Sequence, residues 1–160
     1  MHDDARALVD RLGLWPHPEG GYYREVFRSA LRVSTPRGER SALTLIHYLL
    51  PTGSFSAFHR VRSDEVWVHG GGDPLELHVL DGAGRHEMHR LGVGGPAGQA
   101  VVPAGAWQAA RPLGPRYALA TCAVAPGFEF EDFELADPDA LRRANPELSG
   151  LVRELTRPLR

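Results

Sequence analysis

A histidine and a glutamate that lie six residues apart are the side chains in this sequence best suited to chemistry. His59 and Glu65 flank a short polar turn at 62–64. Side chains alternate across a strand, so the two meet on one inner face if their strands pair across that turn. A carboxylate beside an imidazole raises the imidazole's basicity and fixes its tautomer, which suits removal of a proton next to a carbonyl group. The alternative is a buried structural hydrogen bond.

Three further side chains are candidates for binding a ligand near this pair. Trp67 shares a strand face with Glu65, and a later strand contributes Trp107 and Gln108. Gln108 either donates a hydrogen bond to a ligand or only fills space. The two tryptophans either line a pocket or pack in the core, as large aromatic side chains commonly do.

Charged and phenolic candidates come from other segments. Arg24 follows a Gly-Gly turn and suits a carboxylate or phosphate, or an ion pair with a neighbouring glutamate. Tyr117 is a candidate proton donor, with core packing as the alternative. Asp132 lies in a segment that alternates phenylalanine with acidic residues, and either turns inward or faces water.

The elements that must position these residues are short strands separated by turns. Strands are predicted at 22–29, 42–50, 55–61, 65–69, 75–80, 86–91, 99–102, 107–110, 117–125 and 128–135. Loops or turns are predicted at 14–21, 30–40 and 70–74. A helix is predicted at 3–12, and Pro146 divides a helical tail at 137–157. Turns every ~8–12 residues are typical of an antiparallel sandwich or barrel.

Composition limits the classes of protein that fit. The chain has 160 residues, 24% of them charged, and a net charge of −2, so no bulk field draws it to nucleic acid or an anionic membrane. Its one cysteine, Cys122, cannot form an internal disulfide. The acidic N-terminus lacks the features of a signal peptide, and no apolar run approaches the roughly 20 residues of a membrane span. We therefore expect a cytoplasmic protein.

Two motifs resemble those of the cupin superfamily. The first cupin motif places a glycine, two histidines, a glutamate and a glycine at fixed intervals, where this chain has Gly53, His59, Val61, Glu65 and Gly72. The second places a glycine, Pro-x-Gly and a histidine, where this chain has Gly98, Pro103-Ala104-Gly105 and Gln108, with one residue fewer between the first glycine and the proline.

Four segments, at 16–25, 58–67, 101–110 and 124–135, are similar to one subfamily, cupin-five, a domain of unknown function. The resemblance implies an all-β, cupin-type double-stranded β-helix, or jelly-roll barrel, with short N- and C-terminal helices. It implies a single domain over 1–160, with the barrel at about 20–135 and the helical tail at about 137–157. It also implies a homodimer, because paired sheet edges are protected edges. It implies no particular activity.

The chain departs from metal-binding cupins at two of the four ligand positions. Those proteins offer three histidines and a glutamate, and here Val61 and Gln108 replace two of the histidines. Valine cannot bind a metal, and an amide oxygen is a weak ligand for a transition metal. We therefore expect no cofactor. A divalent metal, if present, would be bound weakly by His59, Glu65 and Gln108.

Three functions compete for the same pocket. The first is a metal-independent sugar-nucleotide epimerase or isomerase, similar to deoxysugar-epimerase cupins, with His59 as base and Tyr117 as acid. The second is a non-enzymatic protein that binds a sugar nucleotide, nucleotide or carboxylate through Arg24, Gln108 and Trp107. The third is a metal-dependent enzyme with a reduced ligand set.

Overall fold

A computed structural model describes residues 1–92 and 97–158. The strands are β1 (Trp15–Pro16), β2 (Tyr22–Arg28), β3 (Arg32–Thr35), β4 (Gly38–Ser41), β5 (Thr44–Pro51), β6 (Ser56–Val61), β7 (Asp64–Gly72), β8 (Leu75–Leu80), β9 (His86–Leu91), β10 (Gln99–Val102), β11 (Trp107–Pro112), β12 (Tyr117–Ala125) and β13 (Phe133–Leu135). The helices are α1 (Asp3–Leu12), α2 (Pro138–Ala144) and α3 (Ser149–Glu154), with 3-10 turns at Phe130–Asp132 and Pro146–Leu148. No helix in the described ranges is long and apolar enough to cross a membrane.

Two antiparallel sheets form the body of the fold. One has the strand order β1-β2-β5-β12-β7-β10, and the other β13-β6-β11-β8-β9. The main apolar core contains residues of both sheets, among them Trp67, Leu77 and Cys122. The prediction of an all-β jelly-roll barrel with short terminal helices is confirmed.

The prediction that the strands bearing His59 and Glu65 pair with each other is wrong. β6 pairs with β11 and β13, whereas β7 pairs with β10 and β12. The chain crosses from one sheet to the other at the turn between them. Both side chains still point inward, because the inner faces of the two sheets oppose each other.

Three other segments differ from their predicted structure. Residues 30–40, predicted as a loop, contain most of the β3–β4 ribbon, a two-stranded sheet separate from the two main sheets. The glycines at 70–72 continue β7 rather than form a turn; a side chain at Gly72 would lie 2.3 Å from the Tyr117 carbonyl oxygen. Of the strand predicted at 128–135, only Phe133–Leu135 is a strand; a 3-10 turn at Phe130–Asp132 precedes it, and Phe128, Phe130 and Phe133 all line the same cavity.

The helical segments follow the sequence closely. α1 ends at Gly13, whose φ of 61° is left-handed, and its N-cap is His2 rather than an aspartate. The Asp137 carboxylate accepts hydrogen bonds from the first backbone N–H groups of α2, and Pro146 separates α2 from α3 as predicted. Side chains of both helices pack on the outer face of the five-stranded sheet.

Candidate functional site

A cavity of about 330 Å³ lies inside the barrel. Its aromatic walls are formed by Tyr23, Tyr48, Trp67, Phe128, Phe130 and Phe133. Its carboxylate, imidazole and guanidinium side chains are His17, Glu19, Glu25, Arg28, His59, Glu65 and Glu129, and the Cys122 thiol also lines it. A buried polar group in such an apolar enclosure needs a partner, so the contacts of each ionisable group indicate what the cavity can do.

Glu19 enters the cavity from an irregular segment between β1 and β2. Its backbone carbonyl accepts a hydrogen bond from the N–H of Ala57 at 2.8 Å, which ties the segment to β6. Gly20 and Gly21 have φ values of 116° and 67°. A side chain on Gly21 would lie 2.7 Å from the Leu49 carbonyl oxygen, so only glycine lets the chain pass this close to β5. The Gly-Gly pair therefore positions Glu19.

The Glu19 carboxylate is the hub of the polar contacts. One oxygen, Oε1, accepts a hydrogen bond from Ser56 Oγ at 2.9 Å. The other, Oε2, lies 3.2 Å from both His59 Nε2 and His17 Nδ1. Burial alone would raise the pKa of Glu19, but the two imidazoles and the hydrogen bonds outweigh burial and lower the pKa to about 2. Glu19 is therefore a buried carboxylate that stays ionised at neutral pH.

His59 pairs with Glu19. Its Nδ1 lies 2.8 Å from the Ala57 carbonyl oxygen, which can only accept, so Nδ1 carries a hydrogen. Its Nε2 lies 3.2 Å from Glu19 Oε2, a contact that is attractive when Nε2 carries a hydrogen as well and the ring is an imidazolium. The Ala57 carbonyl thus orients the ring, and Nε2 faces the Glu19 carboxylate at the cavity wall.

Glu65 is a second buried carboxyl in a different environment. Its Oε2 accepts a hydrogen bond from Gln108 Nε2 at 2.6 Å, and Gln108 Oε1 in turn accepts one from Trp67 Nε1 at 2.8 Å. Burial raises the pKa of Glu65 above its ordinary value, opposed by His59 and reinforced by the charge of Glu19. Two carboxyls whose pKa values are pushed in opposite directions are typical of acid–base sites.

Three charged residues form the cavity mouth. Arg28 donates to both carboxylate oxygens of Glu25 at 2.9 Å and to Glu129 at 2.7 Å. It also donates to the carbonyl oxygen of Phe128 at 3.0 Å. The Nε and both terminal nitrogens of this guanidinium are therefore directed at the protein itself.

The structure brings some of the predicted site residues together. His59, Glu65 and Trp67 line the cavity, and Gln108 lies directly behind Glu65. His59 and Glu65 do not form the expected direct pair: among the described residues, the carboxylate partner of His59 is Glu19.

The other four predicted site residues lie outside the cavity. Arg24 and Trp107 each precede or follow an inward-facing residue on their strand, so alternation turns them outward. Arg24 donates to the Leu12 carbonyl oxygen at 3.0 Å, and the Trp107 ring is covered by the guanidinium of Arg60, 4.4 Å away. Tyr117 packs in the apolar cluster beneath α1.

Asp132 is buried, and its carboxylate binds arginines of the β3–β4 ribbon. It accepts hydrogen bonds from Arg40 Nε at 2.8 Å and from Arg37 Nε at 3.1 Å. The hydrogen bond from Arg40 is the largest influence that lowers the pKa of Asp132, despite the opposing effect of burial. The carboxylate therefore fastens the ribbon to the barrel rather than facing the cavity.

The four cupin metal positions do not fit a metal ion here. Val61 offers no donor atom. Both ends of the Gln108 amide are engaged, by Glu65 and Trp67, and both ring nitrogens of His59 already have protein partners. Within residues 1–92 and 97–158, no group of three or more histidine, cysteine, aspartate or glutamate side chains is arranged to hold a metal.

Sequence reasoning missed Glu19 and His17, the two residues that complete the polar centre. They lie in the Pro-His-Pro-Glu-Gly-Gly segment, which predicts irregular backbone and nothing about its direction. The available signal was the segment itself: a carboxylate followed by two glycines indicates backbone held close to another strand.

Comparison with known proteins agrees with this architecture. The sequence matches the family Cupin_5, described as Cupin superfamily (DUF985), over residues 6–136. A hypothetical protein from Leishmania major is 34% identical, with 96% of this chain and 99% of that chain covered and a TM-score of 0.88. A protein from Shewanella oneidensis is 33% identical, with 99% and 100% covered and a TM-score of 0.89.

A more distant likeness extends only to the fold. The chain covers 36% of an oxalate decarboxylase from Bacillus subtilis, over 85% of its own length, at 18% identity and a TM-score of 0.56. No curated protein matches the sequence. The family match covers most of the barrel and both of its motifs, and the chain therefore belongs to the Cupin_5 (DUF985) family of the cupin superfamily.

Proposed function

We propose that the cavity binds a small polar molecule and moves a proton on it without a metal ion, as an isomerase or epimerase does. The observation that carries the proposal is the 3.2 Å contact between His59 Nε2 and the Glu19 carboxylate, in the same cavity as Glu65. Proton transfer to and from carbon requires an acid and a base. A protonated histidine and a carboxyl of raised pKa in one cavity can supply them.

The roles follow from the two environments. Glu65, when ionised, is the base that takes a proton from the ligand, because its raised pKa makes it a stronger base than a surface carboxylate. The pair of His59 and Glu19 is the acid that returns a proton. Tyr117, the acid expected from sequence, packs outside the cavity.

The charges of the cavity favour a small ligand over a whole sugar nucleotide. A diphosphate needs free cationic or N–H donors. Arg28 is the one lysine or arginine among the described cavity-lining residues, and Glu25 and Glu129 already bind it. A sugar or a small carbonyl compound has no such requirement.

Proton exchange tests the proposal. The protein is incubated in D₂O with a panel of aldoses, ketoses and small carbonyl compounds, and loss of the proton next to the carbonyl is followed by NMR. We expect exchange with at least one compound, reduced by about 100-fold or more in His59→Ala and Glu65→Gln, the range that loss of an acid–base group produces. His89→Ala, on β9 outside the cavity, is the matched control. Exchange that survives in both site variants would refute the assigned roles.

One observation favours a second candidate, a non-catalytic binding protein. Both ring nitrogens of His59 are engaged by protein groups, as expected of a histidine whose role is to hold the site in shape. In that case, a panel compound would raise the melting temperature without undergoing exchange.

A further inference from the structure

The described residues at the cavity mouth carry a net negative charge, and the guanidinium of Arg28 is neutralised there. Among the described lining residues, Arg28 contributes one positive charge between the carboxylates of Glu25 and Glu129, which leaves one negative charge at the mouth. Glu65 adds another whenever it is ionised, and no described lysine or arginine pairs with it.

The imidazoles do not cancel this charge. The pair of a protonated His59 and an ionised Glu19 is neutral as a unit. His17 Nδ1 lies 3.2 Å from the same Glu19 oxygen and accepts a hydrogen bond from the Glu19 backbone N–H at 3.4 Å, so this nitrogen is engaged by Glu19. An anion that enters the cavity therefore meets carboxylates at the mouth and inside, with no unpaired lysine or arginine among the described lining residues.

We propose that the ligand is a cation, an amine or alkylated ammonium compound, and not an anion. The inference deepens the proposed function and rests on the cavity being a ligand site. Negative charge together with aromatic rings is the chemistry that binds ammonium groups, because the face of each ring attracts a cation.

The aromatic side chains surround the path from the mouth inward. Phe128, Phe130 and Phe133 form one cluster with ring centroids 5.1–6.2 Å apart, and the Phe128 carbonyl oxygen accepts a hydrogen bond from Arg28. Tyr48 and Trp67 lie deeper, with centroids 5.5 Å apart. Phe130 is 53% exposed, which leaves part of an aromatic side chain open at the surface to an arriving cation.

Three probes of nearly identical shape separate charge from fit. Choline is the cation, 3,3-dimethylbutan-1-ol is its neutral carbon analogue, and 3,3-dimethylbutanoate is an anion of similar bulk. Binding to the full chain is measured by NMR titration at constant ionic strength and neutral pH. We expect choline to bind about tenfold more tightly than the alcohol, a factor within the range of cation–aromatic attraction, and the anion to bind most weakly. Equal affinities, tighter binding of the anion, or no binding of choline would overturn the proposal.

A variant pair tests the source of the preference. Glu129→Gln removes one negative charge from the mouth and leaves the charge of Arg28 balanced by Glu25 alone, so choline should bind several-fold more weakly while the alcohol is unaffected. Glu131→Gln is the control, because Glu131 pairs with Arg40 and does not line the cavity. An unchanged choline affinity in Glu129→Gln would also overturn it. If the anion binds more tightly than choline and proton exchange occurs, the preference for a cation is refuted and the proposed proton transfer is not. If choline binds and no exchange occurs, only the proposed proton transfer is refuted.

Discussion

Replacement of Glu19 by glutamine should destabilise the protein in a manner that depends on pH. The substitution keeps the shape of the side chain and removes its charge. The variant lacks the attraction of the Glu19 carboxylate to His59 and His17, and the Ser56 hydroxyl then donates to a neutral amide oxygen. An imidazole proton that was held by a charge then faces an amide.

The magnitude follows from the pKa of Glu19. Its ordinary value is 4.5 and the folded protein lowers it to about 2. Each pH unit of displacement corresponds to ~1.36 kcal/mol, so the ionised Glu19 contributes roughly 3 kcal/mol to the free energy of unfolding at neutral pH. Because the folded pKa is the lower one, this contribution is complete above about pH 5 and falls as the pH drops toward 2. Roughly half is lost by pH 3.

Urea denaturation followed by tryptophan fluorescence at pH 7, 5, 4 and 3 measures the effect, since Trp67 is buried and reports on the core. The gap between wild type and Glu19→Gln should be largest at pH 7 and 5 and narrow below. Glu147→Gln, the same change at an exposed position, should alter stability by less than about 0.5 kcal/mol. A variant as stable as wild type at pH 7, or a gap that stays constant down to pH 3, would refute the role of charge at this position.

Three further substitutions give separate checks. The stability of Glu65→Gln relative to wild type should increase from pH 5 to pH 8, because burial raises the pKa of Glu65 and ionisation of this carboxyl then destabilises the wild-type protein as the pH rises. Urea midpoints of both proteins at the two pH values measure this, and a difference that does not change with pH would contradict it. Asp132→Asn should lower the melting temperature well below that of Glu131→Gln, and the loss should shrink as the pH falls toward 3.8, the ordinary pKa of an aspartate. Equal melting temperatures would show that the ion pairs of Asp132 with Arg37 and Arg40 do not stabilise the fold. Gly21→Ala should cost clearly more than Gly53→Ala, since both glycines have left-handed φ but only Gly21 has backbone and side-chain atoms within 3 Å of the added carbon; circular-dichroism melts compare them, and equal costs would remove steric fit as the reason.

The sequence predicted most of the fold because strand periodicity and glycine and proline spacing are local properties. The buried strand β5 and the long strand β12 lie close to their predicted bounds, and so do α1 and the split between α2 and α3. The predictions were wrong where contacts with residues distant in sequence determine the structure and the local pattern does not. The β3–β4 ribbon has too little apolar character to be predicted as strands, and the partners that hold Asp132 against it are 92 and 95 residues away in sequence.

Only part of the candidate site could be predicted from the sequence, for a similar reason. Alternation along a strand gave His59 and Glu65 the correct inward direction, and the same rule, applied to the neighbours Trp107 and Gln108, excludes one of them from the cavity. No rule of alternation extends to Glu19, because its segment is irregular. Its position is set by the two glycines and by a hydrogen bond to β6, which only the folded chain reveals.

These contacts give a physical account of why His59 persists in a chain whose metal set is broken. A buried imidazole and a buried carboxylate each need charge compensation or a hydrogen bond. With Val61 and Gln108 at two ligand positions, a metal would find too few donors, and the Glu19 carboxylate instead holds a proton on His59. Glu19 therefore supplies the negative charge that compensates a protonated His59, and this ion pair requires no metal ion at the position.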